Sequence, residues 1–130
     1  MIGYAALKAG ILLDKNNYLD FGLNILIEST ARDNHFKEKL VLCNEFTSLS
    51  HIYHRIYLIT KNEIFEDRSS YWKDKSLELF WNRYQKHQRG HTDDFFEDSS
   101  LFIGCPGFFL SLIAWEYSDY ENDWIKCLLL

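Results

Sequence analysis

The sequence predicts an all-α fold of three helical hairpins lying side by side. Three observations carry this. Glycine and proline, the residues that punctuate turns and strands, number only six and one among 130 residues. Apolar residues recur at helical spacing in six separate stretches. Those stretches alternate between segments apolar on most sides and segments apolar on one side only, the pattern of an inner and an outer layer.

The first stretch, Ile2 to Leu13, is apolar nearly all round and reads as a buried helix. Asp14 to Asn17 is a polar turn. A second helix begins near Tyr18 and carries Leu19, Gly22, Leu23 and Leu26 on one stripe. The stretch Leu40 to Thr60, "LVLCNEFTSLSHIYHRIYLIT", opens with a short apolar approach and a cysteine. It continues as a third helix with Leu49, Ile52, Tyr53, Ile56 and Ile59 at helical spacing, while "KLVLC" before it is compatible with a short extended segment. "KNEIFED" interrupts with charge. A fourth helix then runs from Ser69 and Ser70, which suit N-caps, through an apolar face of Leu77, Phe80, Trp81 and Tyr84. "RGHTDDFFEDSS" is a polar, acidic connection with Phe95 or Phe96 tucked beneath it. The fifth helix starts at Pro106, well placed for a first turn, and is again apolar on most sides. "ENDWIKCLLL" makes a short sixth. Gly3, Ser48, and Gly104 with Gly107 mark the starts of the three apolar helices at intervals of roughly 45 to 60 residues, a spacing expected of stacked hairpin repeats.

Composition narrows the function. Apolar residues make up 47% and aromatics 17%, which supports one folded domain over residues 1–130. The net charge is −5 and no Lys/Arg stripe exists, so nucleic acid is not an expected partner. The longest apolar run, "LFIGCPGFFLSLIAW", is too short for a transmembrane segment and contains Gly and Pro. The N-terminus has no basic region of the signal-peptide kind. Cys43, Cys105 and Cys127 are odd in number and widely spaced, which points to a reducing, cytoplasmic location rather than a disulfide framework.

Several residues invite a chemical reading. His51 and His54 share a helix face and, with Cys43, could reach a common metal. Cys43 precedes the helix, however, and no third ligand stands at motif spacing. Packing is therefore the favoured role, with one histidine half-buried beside Tyr53 and Ile56 and the other at the surface near Arg55. His87 and His91 flank Gly90 at a helix end, where contact with the helix C-terminus is favourable. The cluster Asp93 to Asp98 reads as a solvated connection more than an acid–base pair. The aromatics Trp72, Trp81, Tyr84, Trp115, Tyr117, Tyr120 and Trp124 fill helix interfaces or line a peptide groove.

Taken in order, these segments resemble the lanthionine synthetase C family, the lanthipeptide cyclases. "IGYAALKAGILLDKNNYLDFGLNILIES" is similar to the segment after the family's Trp-Cys-Tyr-Gly-x-Pro-Gly motif. "LVLCNEFTSLSHIYHRIY" is similar to the segment around its Cys-His-Gly-x-x-Gly motif. "SSLFIGCPGFFLSLIAWEYSDYENDWIKCLLL" is similar to its C-terminal Leu-x-Gly-x-x-Gly helix and closing Trp-Asp-x-x-Leu-Leu-Leu. The resemblance implies the C-terminal hairpins of an (α/α) toroid, and a role in lantibiotic biosynthesis. In the family, zinc held by two cysteines and a histidine keeps its fourth position for a substrate thiolate, which adds to dehydroalanine or dehydrobutyrine and closes a thioether ring.

Carried over residue by residue, the site thins out. Cys43 stands at the motif cysteine, the one retained zinc-ligand position. Asn44 stands where the family has its histidine, and Glu45 and Ser48 where it has glycines. The second zinc cysteine would precede Met1. One thiolate and one amide do not hold zinc tightly. The expectation is a truncated cyclase relative that is not catalytic alone, with no catalytic residue assigned. Its expected partners are a lantibiotic precursor peptide or the pathway's modifying enzymes, and self-association through an open apolar flank is also expected. Two alternatives stay open: a non-catalytic peptide- or partner-binding module, and an unrelated small helical protein of the immunity type.

Overall fold

A computed structural model describes residues 2–31, 46–102 and 104–117. Among the described residues six helices follow one another: α1 (Ile2–Leu13), α2 (Asn16–Thr30), α3 (Phe46–Thr60), α4 (Glu63–Gln88), α5 (Asp94–Glu97) and α6 (Cys105–Glu116). Among the described residues there is no strand. The all-α expectation holds, and α1 has the bounds its pattern predicts. "KLVLC", the whole of the terminal "ENDWIKCLLL" stretch, and the residues Cys43, Asn44, Tyr120, Trp124 and Cys127 lie outside the described residues.

The first two pairs, α1–α2 and α3–α4, are hairpins built on the same local device. Each leading helix ends in one non-glycine residue with positive φ, Asp14 at 51° and Lys61 at 55°. Such a residue reverses the chain so that its own amide or the next one faces the last helical turn. After α1 the Lys15 amide donates to the Gly10 carbonyl at 3.0 Å, and after α3 the Lys61 amide donates to the Tyr57 carbonyl at 2.7 Å. The free carbonyls of the helix end are thereby satisfied. A link this short leaves the next helix no course but antiparallel.

Within α1–α2 the two backbones come unusually close. Gly3, Leu7 and Gly10 form the buried edge of α1 and meet Gly22 and Leu26 of α2. A Cβ on Gly22 would stand 2.6 Å from the Leu7 backbone nitrogen and 2.8 Å from the Gly3 carbonyl oxygen. Only a glycine fits there, which explains why a residue poor in helix propensity sits mid-helix. Gly3 therefore lies inside α1 rather than ahead of it, as Ser48 lies inside α3. Of the predicted start markers, Gly104 alone precedes its helix, capping α6. Its own Cβ would overlap the Asp98 carbonyl oxygen.

The α3–α4 pair is held by a reciprocal clasp. The Ser50 hydroxyl donates to the Ser69 carbonyl at 2.9 Å, and the Ser69 hydroxyl donates to the Ser50 carbonyl at 2.8 Å. Both serines are buried, so each bond replaces one that water would otherwise supply. Ser69 and Ser70 are thus mid-helix residues and not caps. α4 starts at Glu63, where Asn62 accepts from the Ile64 amide at 3.2 Å. Glu63 and Glu66 in its first turn favour the positive end of the helix dipole, and Phe65, fully buried, anchors that turn in the core. The charges of "KNEIFED" interrupt the apolar pattern without interrupting the helix, because they occupy its wet face.

Two apolar cores result. Leu7, Leu26, Ile52, Tyr53, Ile56, Phe65 and Trp72 form the first, joining α1 to α4. Phe80, Phe95 and Phe108 form the second, joining the far end of α4 to α5 and α6. At about 39 Å for its 26 residues, α4 outruns the 15-residue α3, and its C-terminal third is what α5 and α6 cover. Phe80 stacks on Phe108 with centroids 4.8 Å apart, and Phe95 meets Phe80 edge-on. It is Phe95 that is buried in the acidic connection, while Asp93 caps α5 through the Phe95 amide and takes the Arg83 guanidinium in a two-pronged ion pair. α4 closes with Gly90 at φ 86°, its amide on the His87 carbonyl and the His91 amide on the Lys86 carbonyl.

Expectations about burial fail at several positions, Ile59 and Tyr84, each 37% exposed, among them. Trp81 is 55% exposed instead of sharing the apolar face with Phe80. α1, predicted to be buried all round, buries one edge only: Ile2 is 72% and Leu12 81% exposed. No described helix is long and apolar enough to cross a membrane.

Candidate functional site

Where α3, α4 and α6 converge, a cavity of about 180 Å³ is lined by His54, Glu66, Ser69, Ser70, Lys73 and Trp115. Its placement follows from the packing. The serine clasp draws α3 against α4 and fixes their register. Glu66, Ser69, Ser70 and Lys73 are spaced along α4 so that they share the face beside the clasp. α6 adds Trp115, whose ring stacks on the imidazole of His51 with centroids 5.1 Å apart and planes 16° from parallel. The Lys73 ammonium lies 5.6 Å from the same indole centroid, a cation–π distance.

The electrostatics are uneven. His51 is only 4% exposed, and burial pushes its imidazole down to about 4, with His54, Arg55 and Lys73 adding smaller repulsions. His54 is also lowered, first by burial, against an upward pull from Glu66. Both imidazoles are therefore neutral near neutral pH. Glu66 raises the Tyr57 hydroxyl by its negative charge. Among the described residues, His54 Nε2 and Trp115 Nε1 have no hydrogen-bond partner although both atoms are enclosed. An enclosed polar atom left unpaired costs about 1–3 kcal/mol. The cavity thus combines a cation, a carboxylate, a neutral imidazole and an unspent indole N–H. It holds no activated nucleophile: Ser69 spends its proton on the Ser50 carbonyl.

The residues singled out in the sequence fare differently. Cys43 and Asn44, the family's metal position and its replacement, lie outside the described residues. His51 and His54 do share a face, but neither is at the surface: His51 is buried and His54 half-buried. Among the described residues no group of three His, Cys, Asp or Glu side chains is arranged to hold a metal ion. The described residues therefore do not assemble a zinc ligand set. Cys105 begins α6 half-buried, and burial, with the Asp93 charge behind it, pushes its thiol up, away from the thiolate a metal or a nucleophilic role needs. His87 stacks on Phe96 at 4.8 Å, so its place at the end of α4 is also a packing role. Glu66 and Lys73 went unremarked in the sequence because each is one charge among many on an amphipathic helix. Their two-turn spacing on one face was the only available signal, and the pairing with Trp115 spans too many residues to be read locally.

A second feature lies on α1 and α2. Ile2, Ala5, Ala6, Ala9, Asn17, Tyr18 and Phe21 line an open groove of about 670 Å³ along α1–α2. Small residues on α1 form its floor and the Tyr18 and Phe21 rings its wall.

Comparison of the chain with protein-family models, with curated proteins and with solved structures yields no match.

Proposed function

We propose that this chain is a lantibiotic-biosynthesis protein of the lanthionine synthetase C type, its hairpins arranged as units of an (α/α) toroid, and that it binds peptide or a partner enzyme without closing thioether rings by itself. One observation carries the reading best: α1–α2 and α3–α4 repeat the same hairpin device and leave the apolar outer face of α1 uncovered. Stacked hairpin units bury such faces against the next unit. The retained Cys43 at the motif position and the replacement of the motif histidine by Asn44 support binding over catalysis. In this reading the protein is cytoplasmic, where dehydrated precursors meet their cyclases.

The groove along α1–α2 favours the related reading of a purely non-catalytic binding module, since its lining is mostly apolar, with Asn17 and the Tyr18 hydroxyl as its polar side-chain groups.

A synthetic lanthipeptide precursor carrying its leader and dehydrated residues tests both. Fluorescence anisotropy should show binding, and free-thiol counting by mass spectrometry should show no ring closure by this chain alone, with or without added zinc. Ring closure by the chain alone would overturn the non-catalytic part. Absence of binding to the precursor, together with failure to co-purify with a lanthipeptide dehydratase or cyclase, would sink the assignment to this pathway.

A further inference from the structure

We propose that the cavity between α3, α4 and α6 is a binding site for a small free α-amino acid, held by its two charged ends. The inference stands apart from the reading of the chain as a lantibiotic protein and uses none of it. It begins with charge placement. Lys73 and Glu66 stand two turns apart on α4, about 10 Å along the axis, and border the same cavity. Among the described residues no ion pair joins Lys73 to Glu66; the Glu66 carboxylate accepts a hydrogen bond from the Tyr57 hydroxyl and keeps its negative charge and further lone pairs for the cavity. The cavity therefore offers a cation at one end and a carboxylate at the other.

The remaining lining groups sharpen the choice. Near Lys73 stand the indole N–H of Trp115 and the exposed hydroxyl of Ser70, both able to donate to a carboxylate. On α3, His54 borders the cavity with a neutral ring, and Glu66 bears on it closely enough to perturb it. A carboxylate paired with Lys73 and an ammonium paired with Glu66 answer every one of these groups. A simple anion leaves Glu66 facing a second negative charge, and a simple cation does the same to Lys73. Size agrees. A volume of about 180 Å³ corresponds to about six waters at liquid density. Glycine, alanine and serine, with five to seven non-hydrogen atoms by their formulae, fit such a space.

The enclosed nitrogens supply the driving force. His54 Nε2 and Trp115 Nε1 are shut away from solvent and unpaired in the described structure. A small rotation of either ring toward an occupant gives it a partner and removes a standing penalty.

Isothermal titration calorimetry on the full chain tests this with four ligands: glycine, L-alanine, acetate and methylamine. Glycine and L-alanine should bind, and acetate and methylamine at least tenfold more weakly, because each satisfies one end only. Lys73→Met and Glu66→Gln should each weaken L-alanine at least tenfold. Trp115→Phe, which keeps an aromatic ring against His51 but removes the N–H together with the five-membered ring that carries it, should weaken it severalfold. Both Lys73 and Glu66 reach solvent, so far-UV circular dichroism of their variants should match the parent. Failure of glycine and L-alanine to bind at millimolar concentration overturns the proposal. So does acetate binding as tightly as L-alanine, or binding that survives both Lys73→Met and Glu66→Gln in variants with parental helicity.

Discussion

Replacing His51 by phenylalanine should flatten the acid side of this protein's stability curve. The wild-type imidazole is 4% exposed, stacked on Trp115, and pushed by burial down to about 4. In the unfolded chain it titrates near its ordinary value of 6.5. Between those two values the unfolded state binds a proton that the folded state refuses. Stability is therefore complete above about pH 6.5 and lost as pH falls toward 4. A shift of that size corresponds to about 3 kcal/mol once fully developed, of which about 2 kcal/mol falls between pH 7 and pH 5. His54, lowered in the same direction, adds to the slope. Asp93 and Asp98, both held below 3.8 by hydrogen bonds, begin to matter only at lower pH, so the window belongs to the histidines. Phenylalanine keeps the aromatic stack and cannot take a proton. Urea denaturation followed by circular dichroism at pH 7 and pH 5 should show wild-type stability falling between the two, and His51→Phe losing about 2 kcal/mol less. An unchanged pH slope in the variant would refute the claim that His51 is buried neutral.

Three further outcomes test the packing and the backbone. Gly22→Ala should destabilise by about 1–3 kcal/mol despite alanine's better helix propensity, because its Cβ meets backbone atoms of α1 that cannot rotate aside. Gly90→Ala, with nothing near its Cβ but a φ of 86°, should cost about 1–2 kcal/mol from backbone strain alone, and thermal melts of the two should separate steric from conformational cost. In the serine clasp, Ser50→Ala and Ser69→Ala should each cost about 1 kcal/mol, and a double-mutant cycle should show coupling between them. Strict additivity would mean that the two hydroxyls act independently.

Much of the fold was legible in local pattern. The apolar stripe of Leu26 with Gly22, and that of Ile52, Tyr53 and Ile56, are buried as their spacing predicts. Phe95 is buried within its acidic surroundings. The start of α4 was not legible, because charge at "KNEIFED" breaks the apolar pattern while leaving helix propensity intact. Trp81 misled for a related reason: it sits one residue past Phe80, and a helix turns about 100° between them, so α5 and α6 cover Phe80 alone.

The candidate cavity divides along the same line. His51 and His54 stand out in the sequence as a pair on one face, yet their neutrality comes from what α4 and α6 place around them. Glu66 and Lys73 share a face by virtue of the sequence alone, whereas their conjunction with Trp115 exists only because α6 packs onto α3. By itself, then, the sequence determined that the chain is helical, which edges of α2 and α3 are apolar, and that α1 has more apolar surface than one neighbour can cover. The tertiary structure decided which of those surfaces are covered and which polar groups meet. Periodicity is a property of one helix, but burial, a depressed imidazole and a two-ended cavity arise only where helices distant in sequence exclude water together.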